Sequence, residues 1–487
     1  MTRTPLVAWP APAERPRAAL LTTGFVLLFV VLFWGSEWLA QFVPWRLHVD
    51  FAWEQRIPFG AWAVWLYLSL DLLLLLAPFV LRTWDDLLSL WLVLVSETCL
   101  AALCFVLLPV APHFASFVPP DGLTGVAFVF ADAVNLHGNL LPSLHVAYAV
   151  TAALAYARQA QYQQRSSIVP IIWVTWALAI AVSTVVLRQH HVADVVTGLA
   201  LGAAAWWGLG RWAHSARVRA ALDVEWLCLE NVWLFVRRHR RYATITLALA
   251  AASLPHWRRN RLLRTGFCAL QAIDDLLDGD RVSDGAPLEI VQSLRAQIVA
   301  RSYAADSLAR LVAASVSDLE AAGGLRAVDD AVQLIDVMIR DYRRRVSSEL
   351  LDGATLRAHH RETFTLSLNL MLLAGRCELR ADDVPELIDA LGWCSTVRDL
   401  DEDLAKGLVN IPKEVVAATN GVESESWSRL ADETPVREWL RSEGNRARSW
   451  LGATEQRLAA CTDRRGAQTL RRFARSMRRY LPPTTVS

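Results

Sequence analysis

Lysine is nearly absent from this 487-residue chain: only Lys406 and Lys413 occur, and arginine supplies the remainder of the 49 basic side chains. Against 48 acidic residues the net charge is +1, and no basic domain stands apart, which argues against a surface that tracks nucleic-acid phosphates. Cysteine is sparse too. The seven present (99, 104, 228, 268, 377, 394 and 461) show no CxxC spacing and sit mostly in apolar helical contexts. They read as reduced packing residues, neither disulfide partners nor zinc ligands. No GxGxxG opens a strand–helix unit, which argues against a built-in nicotinamide domain. No internal repeat or low-complexity tract is apparent either.

What the chain has in quantity is apolar surface: 54% of its residues are hydrophobic and the mean hydropathy is +0.28. The excess is concentrated before residue 215, in runs at 19–41, 61–81, 87–110, 143–157, 168–187 and 191–210. Most approach the ~20 residues a helix needs to cross ~30 Å of hydrocarbon, so the pattern predicts a six-span helical bundle. The first run is long, lacks a small-residue cleavage site and is followed by further spans, so it reads as a span and not as a cleaved signal. Arginines gather at Arg3, Arg15, Arg17, Arg82, Arg158, Arg165, Arg211 and Arg217, whereas 111–140 contains no Lys or Arg. By the positive-inside rule this predicts a multi-pass inner-membrane protein with both its amino terminus and its carboxy-terminal half in the cytoplasm.

Beyond Ser215 the composition changes to Arg, Asp and Glu interleaved with Leu and Ala at helical spacing, which predicts a soluble all-α domain over 242–487. A basic, Trp-bearing connection at 216–241 joins it to the membrane domain at 1–215, either as a plain linker helix or lying on the anionic inner leaflet. The helical half carries two acidic clusters, Asp274-Asp275-Leu276-Leu277-Asp278 and Asp399-Leu400-Asp401-Glu402-Asp403. Like charges at i and i+4 repel by about 0.2–0.5 kcal/mol per exposed pair, and more where water is excluded. A cation between them relieves that repulsion. Mg²⁺ prefers carboxylate oxygens and usually takes one or two of them together with phosphate oxygens and water, so two such faces across a cavity predict a magnesium–diphosphate site.

The membrane half places Asn139-Leu140-Leu141-Pro142-Ser143-Leu144-His145 before the fourth run, and Ser183-Thr184 through His190-His191-Val192-Ala193-Asp194 between the fifth and sixth. Both segments therefore reach the same, external rim. An i,i+4 His–Asp pair lets the carboxylate orient an imidazole whose other nitrogen attacks phosphorus, and a second histidine protonates the leaving oxygen. These residues resemble the second and third motifs of the type 2 phosphatidic acid phosphatase superfamily. The inositolphosphotransferase-like branch, with its Pro-Ser-Leu-His, is the most similar, and the likeness runs over about 45–212. It implies His190 as the nucleophile that becomes a phosphohistidine, Asp194 as its partner, His145 as general acid and Ser143 as a phosphate donor, with no cofactor. The arginine of the family's third motif falls on Thr184, and its Lys-x₆-Arg-Pro motif has no clear counterpart. Arg188 is the nearest substitute cation.

In the helical half, Arg398-Asp399-Leu400-Asp401-Glu402-Asp403-Leu404-Ala405-Lys406-Gly407 through Pro412 is similar to the Arg-Asp-x₃-Asp-x₃-Gly-x₄-Pro signature of squalene and phytoene synthases. Asp341 and the stretch Thr363–Leu370 match that family's central and cavity-lining helices. The resemblance, over roughly 240–415, implies a class I isoprenoid synthase bundle. Its metal ligands are Asp274, Asp275, Asp278, Asp399 and Asp403 around a three-ion Mg²⁺ cluster, and Arg398 and Lys406 clamp a prenyl diphosphate. Asn410 and Ile411 stand where the family commonly has Tyr and Leu. Together the two resemblances imply a bifunctional membrane enzyme of isoprenoid metabolism, making a cyclised or coupled terpene and hydrolysing a prenyl or lipid phosphate. The alternatives are a synthase on an inactive phosphatase-like anchor, and a lipid phosphotransferase with a degenerate helical domain.

Overall fold

Helices account for the regular structure throughout; the only β feature among the described residues is an isolated bridge between Leu47 and Val110. The computed structural model describes residues 5–12, 14–81, 83–114, 121–135, 138–213, 215–238, 240–419 and 424–482. Arg3 and Arg82, used above for orientation, lie outside the described residues, as do the side chains of Arg211, Arg240 and Arg241. The chain divides into two units, Met1–Ala221 and Leu222–Ser487.

The first unit contains α1 (Arg15–Ala40), α2 (Val64–Leu75), α3 (Ala77–Val80), α4 (Trp84–Leu107), α5 (Gly122–Val134), α6 (Leu144–Tyr162), α7 (Ile168–Val186), α8 (Val192–Ala205) and α9 (Arg211–Ala213). Among the described residues four helices are long and apolar enough to cross a membrane: α1, α4, α7, and α8 with its π-helical continuation to Gly210. The other two expected runs look different in the fold. Pro78, which cannot donate to the helix ladder, stands where the 61–81 run divides into α2 and α3. The 143–157 run extends to Tyr162, but its last turns carry Arg158, Gln159 and Gln161, which dilute its hydropathy. The segment 111–140, read from the sequence as a loop, contains the short apolar α5.

Polar links fix the register of α6 in this apolar packing. Thr98 Oγ1 and Tyr148 OH lie 2.5 Å apart, Thr151 donates to Glu97 Oε1 at 2.5 Å, and Tyr156 OH donates to Leu73 O at 2.6 Å. Bonds of this kind join membrane helices where hydrophobicity alone gives no preference. Glycine does the same on the α8 side. A Cβ at Gly198 would stand 2.5 Å from Ser143 O, and one at Gly202 2.7 Å from Ala147 O, so the close approach of α8 to α6 depends on missing side chains.

The second unit begins within α10 (Ala216–Arg238), followed by α11 (Arg240–Ser253), α12 (Arg261–Leu277), α13 (Pro287–Ala300), α14 (Ser307–Ser347), α15 (Gly353–Ala374), α16 (Pro385–Ala405), α17 (Lys413–Ala417), α18 (Thr434–Ala459) and α19 (Arg464–Met477). The span 216–241, read above as a connection, buries Leu227, Cys228 and Phe235 in the core of this unit. Those residues share one helical face, so an amphipathic segment has packed its stripe inward. α14 is two helices joined at Gly324, whose φ of +68° a side chain would disfavour. Leu276, Leu277, Leu334, Ile335 and Val337 fill the core between α12 and α14 and hold the acidic end of α12 against the bundle.

Candidate functional site

In the first unit the two histidine motifs meet. Ser143 caps α6, its Oγ accepting from Val146 N at 3.4 Å, and Ser143 N donates to the carbonyl of Asp194 at 3.1 Å. That backbone bond ties the start of α6 to the first turn of α8. His145 follows on α6, its ring stacked on Tyr67 with centroids 3.9 Å apart. On α8, Asp194 is fully buried; its Oδ2 accepts from His191 N at 2.8 Å and stands 3.5 Å from His190 Nδ1, a charge contact longer than a good hydrogen bond. His145 and His190 both line a cavity of about 430 Å³, and Ser143, Arg188 and Asp194 do not.

Thr184 and Arg188 are the positions weighed above for the cations of the phosphatase motifs. Thr184, at the position of the motif arginine, is fully buried with its hydroxyl turned back to Ala181 O at 2.8 Å. Arg188 has a left-handed backbone, φ +56°, and donates to Ile57 O at 3.3 Å. Sequence reasoning missed Glu54, which is buried, approaches His191 Nδ1 at 3.0 Å through Oε2 and accepts from Val192 N at 3.3 Å through Oε1. Nothing local marks it, because its partners are 137 and 138 residues away. His191, the weaker candidate beside His190, is thus occupied: Glu54 takes one ring nitrogen, His113 N donates to the other at 3.4 Å, and Phe114 stacks on its face at 4.3 Å.

In the second unit, α12 and α16 bring the acidic clusters to one cavity of about 620 Å³, bordered by Asp274, Asp275, Asp278, Asp280, Asp399, Glu402 and Asp403 with Arg345, Arg398 and Lys406. Helical geometry puts Asp274 and Asp278 on one face, whereas Asp275 is turned about 100° away. Asp275 is 2% exposed, and its carboxylate is bound by Arg238 and by Gln271 Nε2 at 2.9 Å. It was expected among the metal ligands; its carboxylate borders the same cavity and is paired with Arg238 there. Burial, together with the charges of Asp278, Asp275 and Asp341, pushes the Asp274 carboxyl up to about 8. Burial and the neighbouring Asp399 push Asp403 up to about 7, against a hydrogen bond from Asn410 Nδ2 at 3.1 Å. Burial also raises Asp278, opposed by Lys406 and Arg345.

Basic groups stand between these acids. Lys406 Nζ lies 3.0 Å from Glu402, 3.4 Å from Asp280 and 4.0 Å from Asp278, while Arg345 donates to Asp278 at 3.1 Å and Arg398 to Asp399 at 2.8 Å. Behind them Arg344 joins Asp341 at 2.8 Å to the Val409 carbonyl and Asn410. His359 Nε2 reaches Asp341 at 2.8 Å and, although burial raises that carboxyl, this bond and Arg344 bring it below its ordinary value. Among the described residues no three acidic, histidine or cysteine side chains close on one point as a protein-only metal cage. Opposed carboxylate pairs fit an ion that draws its other ligands from phosphate and water, and burial makes each of these carboxylates costly to ionise without a compensating positive charge.

Adjoining the acidic cavity is an apolar one of about 680 Å³. Ile245, Phe267, Gln271 and Asp274 border both, so the charged cavity and the hydrocarbon chamber lie side by side. Ser367 and Leu370, from the small-residue stretch of α15, line its wall.

The family model of the PAP2 superfamily matches residues 87–217, from within α4 to the start of α10. This supports a phosphatase-type membrane domain carrying His145, His190 and Asp194, and leaves α1, α2 and Glu54 outside the matched segment. No curated protein and no solved structure matches the chain.

Proposed function

We propose that this chain joins two activities of isoprenoid metabolism: magnesium-dependent ionisation of a prenyl diphosphate in the second unit, and phosphohistidine-type hydrolysis of a prenyl or lipid phosphate in the first. The observation that carries the first of these is the adjacency of the acidic and apolar cavities, which share Phe267, Gln271 and Asp274 in their walls. Such a shape suits a molecule with a strongly anionic head and a long hydrocarbon tail. Magnesium held by Asp274, Asp278, Asp399 and Asp403 supplies charge neutralisation to the departing diphosphate. Arg345, Arg398 and Lys406 add fixed positive charge at the mouth, and the apolar wall keeps water from the reacting carbon. The allylic carbon–oxygen bond breaks with its electron pair leaving on oxygen. The resulting cation is quenched by its own distal alkene or by a second prenyl chain, with loss of a proton. Asp275, held by Arg238, positions the end of α12.

In the first unit His190 attacks phosphorus and the ester P–O bond breaks, His145 giving its proton to the departing alcohol. Water, deprotonated by His145, then releases phosphate from His190. Asp194 holds the His190 ring from behind. We place six crossings in this unit, α2–α3 and α6 joining the four longer helices, with the second unit cytoplasmic. Thr184, buried in place of a cation, favours a narrower second reading in which this unit is only an anchor.

The test uses the full-length protein in detergent with Mg²⁺, incubated separately with farnesyl diphosphate, geranylgeranyl diphosphate and farnesyl monophosphate, with products identified by mass spectrometry. Pyrophosphate release with a cyclised or coupled terpene is expected, lost on chelation or with Asp274→Asn. Phosphate release from the monophosphate is expected to survive chelation and vanish with His190→Ala. Pyrophosphate release indifferent to Asp274→Asn would overturn the synthase assignment, and phosphate release indifferent to His190→Ala the phosphatase one.

A further inference from the structure

The cavity that exposes His145 and His190 is mostly not a phosphate pocket. Apart from the imidazoles, Asp71, Asn135 and Asn139, its wall is made of apolar and aromatic side chains, and one side of it is α1, where Phe25, Phe29 and Phe33 recur at i, i+4 and i+8. The Phe29 and Phe33 rings stack 5.0 Å apart, and Phe25 stands edge-on to Tyr148 at 5.8 Å. At ~1.5 Å per residue the three rings extend the wall by about 12 Å. The helix is held in register with the catalytic loop by Asn139, whose Nδ2 donates to Phe33 O at 2.6 Å. Asn139 is 2% exposed, borders the cavity and has no hydrogen-bond partner for its Oδ1 among the described residues. Val26 and Val30, about half exposed, leave the cavity open sideways, where a lipid chain enters.

Resting on the phosphatase reading, we propose that this cavity holds the hydrocarbon chain of a single-chain lipid phosphomonoester and that α1, outside the family match, sets the chain length. An apolar cavity of about 150 Å³ takes one six-carbon benzene, so by that ratio 430 Å³ takes on the order of seventeen carbons. One fifteen-carbon isoprenoid chain fills that space. The two acyl chains of a phosphatidate exceed it. The phosphate stands at His145 and His190 while the tail lies along the phenylalanine wall.

Phosphate release by the full-length protein is measured across prenyl monophosphates of five, ten, fifteen and twenty carbons and a phosphatidate. The expected kcat/KM climbs on the order of tenfold or more per isoprene unit up to fifteen carbons and falls back for phosphatidate. Phe29→Trp, which fills part of the cavity, moves the optimum to ten carbons; because the readout is a ratio within one preparation, loss of folded protein cancels. A flat ladder, a phosphatidate as good as the fifteen-carbon ester, or an unmoved optimum in Phe29→Trp overturns the chain site. A photoreactive farnesyl phosphonate, which cannot be hydrolysed, separates the two ideas. Labelling of the α1 segment 25–34 with no phosphate release from any ester sinks the phosphatase reading alone. Labelling elsewhere sinks the chain site, whatever the turnover.

Discussion

Glu54 Oε2 and His191 Nδ1 lie 3.0 Å apart, both buried, and so join the loop before α2 to the first residues of α8. Replacing Glu54 with Ala leaves the His191 ring and the Val192 N–H without their acceptor, a cost of about 1–3 kcal/mol for the buried donors. The neighbouring His190 loses its fixed position. Misplacement by about 1 Å costs on the order of 10²-fold, so phosphate-release kcat is expected to fall by that order with KM little changed. Glu54→Gln, which keeps one acceptor, is expected to recover part of the rate. Equal kcat in all three proteins would dismiss the positioning role.

Asp274 and Asp275 are adjacent in sequence and opposite in consequence. Asp274→Asn is expected to lower pyrophosphate release by roughly 10²–10³-fold. Asp275 is bound to Arg238, so Arg238→Ala strands a buried carboxylate at about 3–5 kcal/mol. That variant is expected to unfold about 2–4 °C earlier per kcal/mol lost, read by calorimetry on the full chain. A larger thermal effect from Asp274→Asn than from Arg238→Ala would reverse the assignment.

The raised carboxyls fix the sign of a pH effect. Asp274, near 8, and Asp403, near 7, keep their protons in the folded chain where an unfolded chain has lost them. Their contribution to stability is therefore present below about pH 4 and lost as pH rises through 7 and 8. Without divalent cations the unfolding temperature is expected to fall from pH 5 to pH 8 by more than in Asp274→Asn. Added Mg²⁺ is expected to offset the fall most at the alkaline end, since its ligands must be deprotonated.

Gly198 allows α8 to meet Ser143 O. Gly198→Val forces the helices apart at a cost of about 1–3 kcal/mol. Phosphate release is expected to collapse while pyrophosphate release is retained. Loss of both in equal measure would show a general folding defect.

The amino-acid sequence by itself determined whatever lies within a few turns of one helix. Apolar runs such as 168–187 have no alternative to a helix, and Asp274 with Asp278, or His190 with Asp194, share a face because 3.6 residues make a turn. Covalent geometry settles those relations before any packing occurs. The tertiary structure alone decided the rest: that Asp275 turns to Arg238, that Glu54 reaches His191, that α1 walls the histidine cavity, and that a hydrocarbon chamber opens beneath Asp274. Each of these depends on which helices close on which, and a cavity is the space left over when side chains distant in sequence finish packing.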